Sequence, residues 1–98
     1  MIGNDYTTRI TDESALVIEA TNDMCGIYRR ERNTRNDSPW LAHFMADGAK
    51  ATADAAQCLV VFQNTADVER QKKCMHEMWA IRLHMQRARA AMVALFDE

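Results

Sequence analysis

The arginines of this chain are the residues best suited to bind a ligand or a partner. Four of them lie within a stretch of seven residues: Arg29, Arg30, Arg32 and Arg35. Guanidinium groups bind phosphates and carboxylates through paired hydrogen bonds. The cluster therefore predicts a site for a phosphate-bearing small ligand or for an acidic protein surface. The alternative is a solvated helix end, where the arginines pair with Glu31 and Asp37 and complement the helix dipole.

A second basic feature lies in the last third of the chain. Arg82 and Arg89 are seven residues apart, so both lie on one face of a helix. This face predicts contact with an acidic partner or a phosphate backbone, and its alternative is the solvated side of an amphipathic helix. The net charge of −2 argues against a dedicated nucleic-acid binder. The basic residues have almost no aromatic residues among them, which argues against binding of single-stranded nucleic acid.

The sequence lacks the residue patterns of an enzyme or a metal site. His76-Glu77 begins the zinc signature His-Glu-x-x-His, but Ala80 stands where the second histidine should be. No serine, histidine and acid set, no glycine-rich phosphate loop and no distinct pair of carboxylates is present. We therefore expect a protein that is not an enzyme, with no metal and no cofactor.

The cysteines and the hydropathy pattern indicate in which cellular compartment the protein is expected. Cys25, Cys58 and Cys74 form no close pair, which is typical of reduced thiols in a cytosolic protein. The first residues lack the charged-then-apolar pattern of a leader peptide, and no apolar run reaches about 18 residues, so we expect neither secretion nor a membrane span. We expect a cytoplasmic protein without membrane contact, located in the host cytoplasm if it is encoded by a phage.

The elements that position these residues are predicted to be helices. The sequence predicts one all-α domain, with an N-terminal arm at 1–10 and helices near 11–32, 39–62 and 65–96. Thr11, followed by two acids, is the predicted start of the first helix, and Ser38-Pro39 is that of the second. Short connections favour a three-helix up-down-up bundle with a long C-terminal helix.

Heptad spacing in the second and third helices predicts their buried stripes. In the second helix the stripe is Leu41, Met45, Gly48, Thr52, Ala55, Leu59 and Phe62. In the third it is Cys74, Met78, Ile81, Met85, Ala88, Met92 and Leu95. Trp40 and Trp79 are expected to pack as anchors.

The third helix is predicted to be longer than the two that should cover it. We therefore expect a homo-oligomer, a dimer or higher, built on this helix. The predicted oligomer seam is Met78, Ile81, Met85, Met92 and Leu95.

Two stretches resemble the helical hairpin of small phage proteins that sequester cyclic nucleotide signals, the sponges that counter nucleotide-signalling immunity (CBASS and Thoeris). They are Thr11-Asp-Glu-Ser-Ala-Leu-Val-Ile-Glu19 and Ser38-Pro-Trp-Leu-Ala42, and the resemblance covers residues 11–60. It implies an all-helical, oligomeric, non-enzymatic protein that binds its ligand between subunits. The chain has Pro39 where that family tends to have arginine, and Gly48-Ala-Lys-Ala-Thr52 replaces its Gly-Phe-Met-Ala-Leu pattern. No ligand contact is carried over to this sequence.

Three functional hypotheses remain open at this point. The first is a phage-type inhibitor that binds a host protein of a defence or regulatory complex, because a small helical chain without catalytic residues resembles phage anti-defence proteins, including the anti-CRISPR proteins. The second is an oligomeric sponge for cyclic nucleotides that uses the arginine cluster. The third is a nucleic-acid-associated helical regulator that uses Arg82 and Arg89.

Overall fold

The fold consists of three helices. The computed structural model describes residues 5–34 and 38–96, and the regular structure within these two stretches is entirely helical. The helices are α1 (Asp5–Glu31), α2 (Pro39–Gln63) and α3 (Val68–Phe96). The prediction of an all-α protein with three helices is confirmed. Within the described stretches no helix has the length and apolar character needed to cross a membrane.

Helix α1 begins six residues earlier than the sequence predicts, at Asp5 instead of Thr11. The Thr11 hydroxyl does not cap a helix start, because it donates to the carbonyl oxygen of Thr7 at 2.8 Å, as hydroxyls inside helices do. Ile10 is only 1% exposed and continues the buried stripe that contains Val17. The packing of Ile10 therefore extends α1 into the predicted arm.

The starts of α2 and α3 lie close to their predicted positions. Helix α2 begins at Pro39 after Ser38, although the Ser38 side chain makes no capping hydrogen bond. Helix α3 begins at Val68, three residues later than predicted. Its cap is Asp67, whose Oδ1 atom accepts a hydrogen bond from the amide of Glu69 at 3.1 Å.

The buried face of α2 differs from the predicted one at alternate positions. The buried residues are Leu41, Phe44, Gly48, Ala51, Ala55, Cys58 and Phe62. Met45, Thr52 and Leu59, which the sequence pattern places in the stripe, lie instead at or beyond its edge. Helix α2 is apolar around most of its circumference, so two overlapping heptad stripes fit its sequence, and the heptad pattern alone does not choose between them.

The apolar stripe of α3 is covered within the single chain. Met78, Met85 and Met92 are 0% exposed, whereas Leu95 is 47% exposed and Ile81 is partly buried. Because α1 starts earlier than predicted, its length of 27 residues is close to the 29 residues of α3. Two helices of adequate length therefore cover these methionines, and a second subunit is not needed to bury them.

Candidate partner-binding surface

Arg82 connects α3 to α1. Its Nε atom lies 2.5 Å from Oε2 of Glu13, and its Nη2 atom lies 3.2 Å from Oε1 of the same carboxylate. A third hydrogen bond runs from Nη1 to Oε1 of Gln86 at 3.0 Å. The hydrogen bond to Glu13 raises the pKa of Arg82, because it stabilises the charged form. The guanidinium is thus engaged within the bundle on all three of its nitrogens.

Arg89 also contacts α1. The carboxylates that pair with Arg82 and with Arg89 both belong to this helix. Its Nη1 atom donates to Oδ2 of Asp23 at 3.0 Å, and the two side chains are 33% and 51% exposed. Arg82 and Arg89 share a face as predicted, but that face is turned towards α1. Both candidate binding residues therefore form ion pairs inside the chain.

The arginine cluster lies at the end of α1 and in the turn that follows. Arg29 and Arg32 are exposed to solvent. Arg30 donates from Nε to Oε2 of Glu31 at 2.9 Å, and its side chain is 49% exposed. The predicted alternative, pairing with Glu31, thus occurs at Arg30. Arg35 lies outside the described residues.

An exposed tryptophan begins the next helix. Trp40 is 55% exposed and Trp79 is 46% exposed, so the prediction that both tryptophans pack as anchors is wrong. The Trp40 ring stands edge-on to His43 at a centroid distance of 5.9 Å, and buried Phe44 lies 6.3 Å away. Phe44 thereby holds Trp40 and His43 at the surface of the first turn of α2.

These groups lie at the end of α1 and the start of α2, which follow each other along the chain, and we call them together the basic–aromatic end. It consists of Arg29, Arg30, Arg32, Trp40 and His43. Arginine and tryptophan are the residue types most enriched among energetically dominant contacts in protein interfaces. The sequence pattern predicted the arginines as binding residues, whereas the exposure of Trp40 was found only in the structure.

The grooves between the helices lie away from this surface. The α1–α2 groove contains two adjoining cavities of about 460 and 280 Å³, with a largely apolar lining that includes Thr21 and Thr52. The α2–α3 groove has charged side chains along its lining, and its His84 ring contacts the Asp47 carboxylate at 2.8 and 3.0 Å. None of these three cavities is lined by an arginine. The cluster is therefore part of an open surface and does not line them.

The buried thiols are not suited to nucleophilic chemistry. Burial raises the pKa of Cys58 to about 12, and its Sγ atom donates to the carbonyl oxygen of Cys74 at 3.0 Å. A thiol with this pKa carries almost no thiolate at neutral pH. Across residues 5–34 and 38–96, no three histidine, cysteine or acidic side chains are grouped as a metal site would need.

Glu13 and Asp23 are the structurally important residues that sequence reasoning missed. They pair with arginines 69 and 66 residues away in the chain, and no local pattern signals such long-range partners. The sequence matches no protein-family model, and no curated protein and no solved structure is significantly similar to it. Functional inference therefore depends on the surface itself.

Proposed function

We propose that this protein is a non-enzymatic inhibitor or adaptor that acts by binding a protein partner through the basic–aromatic end. The observation that carries the proposal is the exposure of Trp40, which lies eight residues after exposed Arg32 in the chain. A half-exposed indole is costly to leave in water and gains most from burial in a partner's pocket. The arginines select a partner whose rim is acidic, because guanidinium groups pair with carboxylates in bidentate geometry.

The contacts between helices support an up-down-up order. Glu13 pairs with Arg82 and Asp23 pairs with Arg89, so α1 and α3 advance in the same direction. Asp47 meets His84 and Cys58 meets Cys74, which is consistent with an α2 that runs antiparallel to α3. We infer that the end of α3 reaches the basic–aromatic end and adds exposed Leu95 to its apolar part.

Affinity capture with paired variants tests this proposal. The whole chain is immobilised and exposed to an extract of a candidate host cell, together with Trp40→Ala and the matched control Trp79→Ala. We expect a discrete protein that is captured by the wild type and by Trp79→Ala and is lost with Trp40→Ala. The captured protein is then purified, and its direct binding is measured with the same variants.

Two results would count against an inhibitor that uses this end. One is capture that Trp40→Ala and Arg29→Ala leave unchanged, which would move the interface elsewhere. The other is the absence of any discrete partner from extracts of susceptible cells. A phage-type inhibitor of host defence further requires that expression of the chain protects a phage from a specific defence system, and that Trp40→Ala abolishes the protection.

A cyclic-nucleotide sponge is the second candidate, and the same surface supports it. The exposed Trp40 ring offers a stacking face for a base, and the arginines offer donors for phosphates. This candidate predicts a large thermal shift with cyclic dinucleotides that is lost in Arg29→Ala and in Arg32→Ala. If no nucleotide of a broad panel shifts the melting temperature, the sponge hypothesis fails.

A nucleic-acid-associated regulator has the least support of the three. Arg82 and Arg89 make ion pairs with Glu13 and Asp23, so a phosphate backbone would have to compete with these carboxylates. Four exposed basic side chains remain on α3, which are Arg70, Lys72, Lys73 and Arg87. A mobility shift with labelled DNA or RNA at low salt tests this reading.

A further inference from the structure

Helix α2 carries fewer charged side chains than the other two helices. Its 25 residues contain only three charged side chains, which are Asp47, Lys50 and Asp54, and these lie towards α3. The side that points away from the core is apolar and exposed. We call it the alanine face, and its residues are Ala42, Ala46, Ala49, Ala53, Ala56 and Val60.

The alanine face is a second heptad stripe. Its members are separated by four and three residues in alternation, which is the spacing of a helix-packing seam. It borders the apolar α1–α2 groove, where Met45, Leu59 and Ile18 lie at the edge, and Ile18 is 59% exposed. A helix that is apolar on both sides is normally buried on both sides. The described part of the chain leaves one of these sides uncovered.

We propose that a second copy of this chain covers the alanine face, with the two α2 helices antiparallel about a two-fold axis. The proposal is independent of the function proposed above. The stripe is self-complementary. A two-fold axis midway between Ala49 and Ala53 places Ala49 of each copy opposite Ala53 of the other copy. The same axis sets Ala42 against Val60, so the smallest end of the stripe meets its largest residue.

The side chains along the edges are compatible with this axis. On the groove side, Met45 lies within one helical turn of Leu59 of the other copy, and both are apolar. On the polar side, the two Lys50 ammonium groups come near the axis, and each already has a carboxylate of its own, since Lys50 bonds to Asp54 at 3.0 Å. Each ammonium then lies between two Asp54 carboxylates. With Asp47, which contacts His84, this edge carries one net negative charge per copy.

The size of the face fits a dimer of moderate affinity. The stripe from residue 42 to residue 60 is about 27 Å long, and the bundle is 19 Å across in its second dimension. The buried area is on the order of 500 Å² per copy, or roughly 1,000 Å² in total, which is near the lower limit for a specific interface. Small side chains compensate for this limited area, because they let the two helix axes approach closely.

Sedimentation velocity as a function of concentration tests the dimer. We expect the wild type to move from monomer to dimer between roughly 10 and 500 μM, as befits an interface of this size. Ala53→Arg should remain monomeric with unchanged helicity by circular dichroism, because its side chain can extend into solvent in the monomer. Ala90→Arg makes the same change at an exposed position of α3 and should dimerise like the wild type.

Disulfide trapping tests the orientation. In a Cys25→Ser background, Ala42→Cys and Val60→Cys chains are oxidised alone and as a mixture. The antiparallel axis predicts a cross-linked heterodimer in the mixture and none with either chain alone, because bridged cysteines need Cα atoms within about 7 Å.

Four results would overturn the proposal. If the wild type stays monomeric at the highest concentration, a second copy does not cover the alanine face, and a partner of another kind would have to do so. A dimer that Ala53→Arg leaves intact uses another surface. Cross-linking of each single-cysteine chain with itself indicates a parallel pair, and a dimer that gives no cross-link in the mixture has a different axis.

Discussion

The ion pair between Glu13 and Arg82 is predicted to stabilise the bundle. It is bidentate, with N–O distances of 2.5 and 3.2 Å, and both side chains are 18% exposed. Exposed pairs contribute about 0.2–1 kcal/mol, and removal of one partner from a buried pair costs about 3–5 kcal/mol. This pair lies between the two limits, so we expect Arg82→Gln or Glu13→Gln to lower the free energy of unfolding by about 2 kcal/mol.

A double-mutant cycle isolates the interaction itself. The two single variants and the double variant are unfolded with urea and followed by circular dichroism. We expect a coupling free energy of about 1–2 kcal/mol, because the residues are in direct contact. For a chain of this length each kcal/mol lowers the melting temperature by about 4–8 °C.

The pair Lys50 and Asp54 provides a matched control. It is also an ion pair at 3.0 Å, but its side chains are 77% and 53% exposed. Its coupling should be about 0.3–0.5 kcal/mol, as for other exposed pairs one helical turn apart. If the coupling between Glu13 and Arg82 is no larger than that of this control, the ion pair is not structural. Arg82 would then return as a candidate for contact with a ligand or partner.

The other predictions concern packing and thiol chemistry. Gly48→Ala should raise the free energy of urea unfolding by about 1 kcal/mol, because the added methyl group would lie 3.7 and 3.8 Å from two methionine methyls, at ordinary contact distance. Met78→Ala should lower it by about 2–5 kcal/mol, whereas Leu95→Ala, at a residue 47% exposed, should change it by less than about 1 kcal/mol. At pH 8 a maleimide should modify partly exposed Cys25 well before buried Cys58, whose pKa is about 12. Peptide mass spectrometry over a time course measures the order in which the two thiols are modified.

The sequence was sufficient to identify the three helices and most of the inward stripe of α3. Leu95, predicted to belong to that stripe, is 47% exposed, and buried Met75 was missed. Methionines at alternating spacings of four and three can be buried together only on one side of a helix, and Met78, Met85 and Met92 are indeed fully buried. The start of α1 was harder, because Thr11 followed by acids looks like a cap. The burial of Ile10 in the hydrophobic core outweighs that local signal.

The buried face of α2 could not be chosen from the sequence, and the reason bears on function. A helix with one apolar stripe identifies its own inward side. Helix α2 has two such stripes, so either Met45 or Phe44 could face the core until the other helices are present. The ambiguity of the pattern and the uncovered alanine face are two consequences of the same composition.

The proposed dimer also separates the first two functional candidates. The resemblance to sponges implies a ligand held between subunits by basic side chains. Thr21 lies opposite Thr52, close to the proposed axis, and Arg30 is nine residues further along α1, or about 13 Å from it. The two arginine clusters would then be on the order of 27 Å apart along the dimer, too far for one small ligand to contact both. A dimer through the alanine face therefore favours a protein that presents two separate basic–aromatic ends to its partners, whereas nucleotide binding between subunits requires a different assembly.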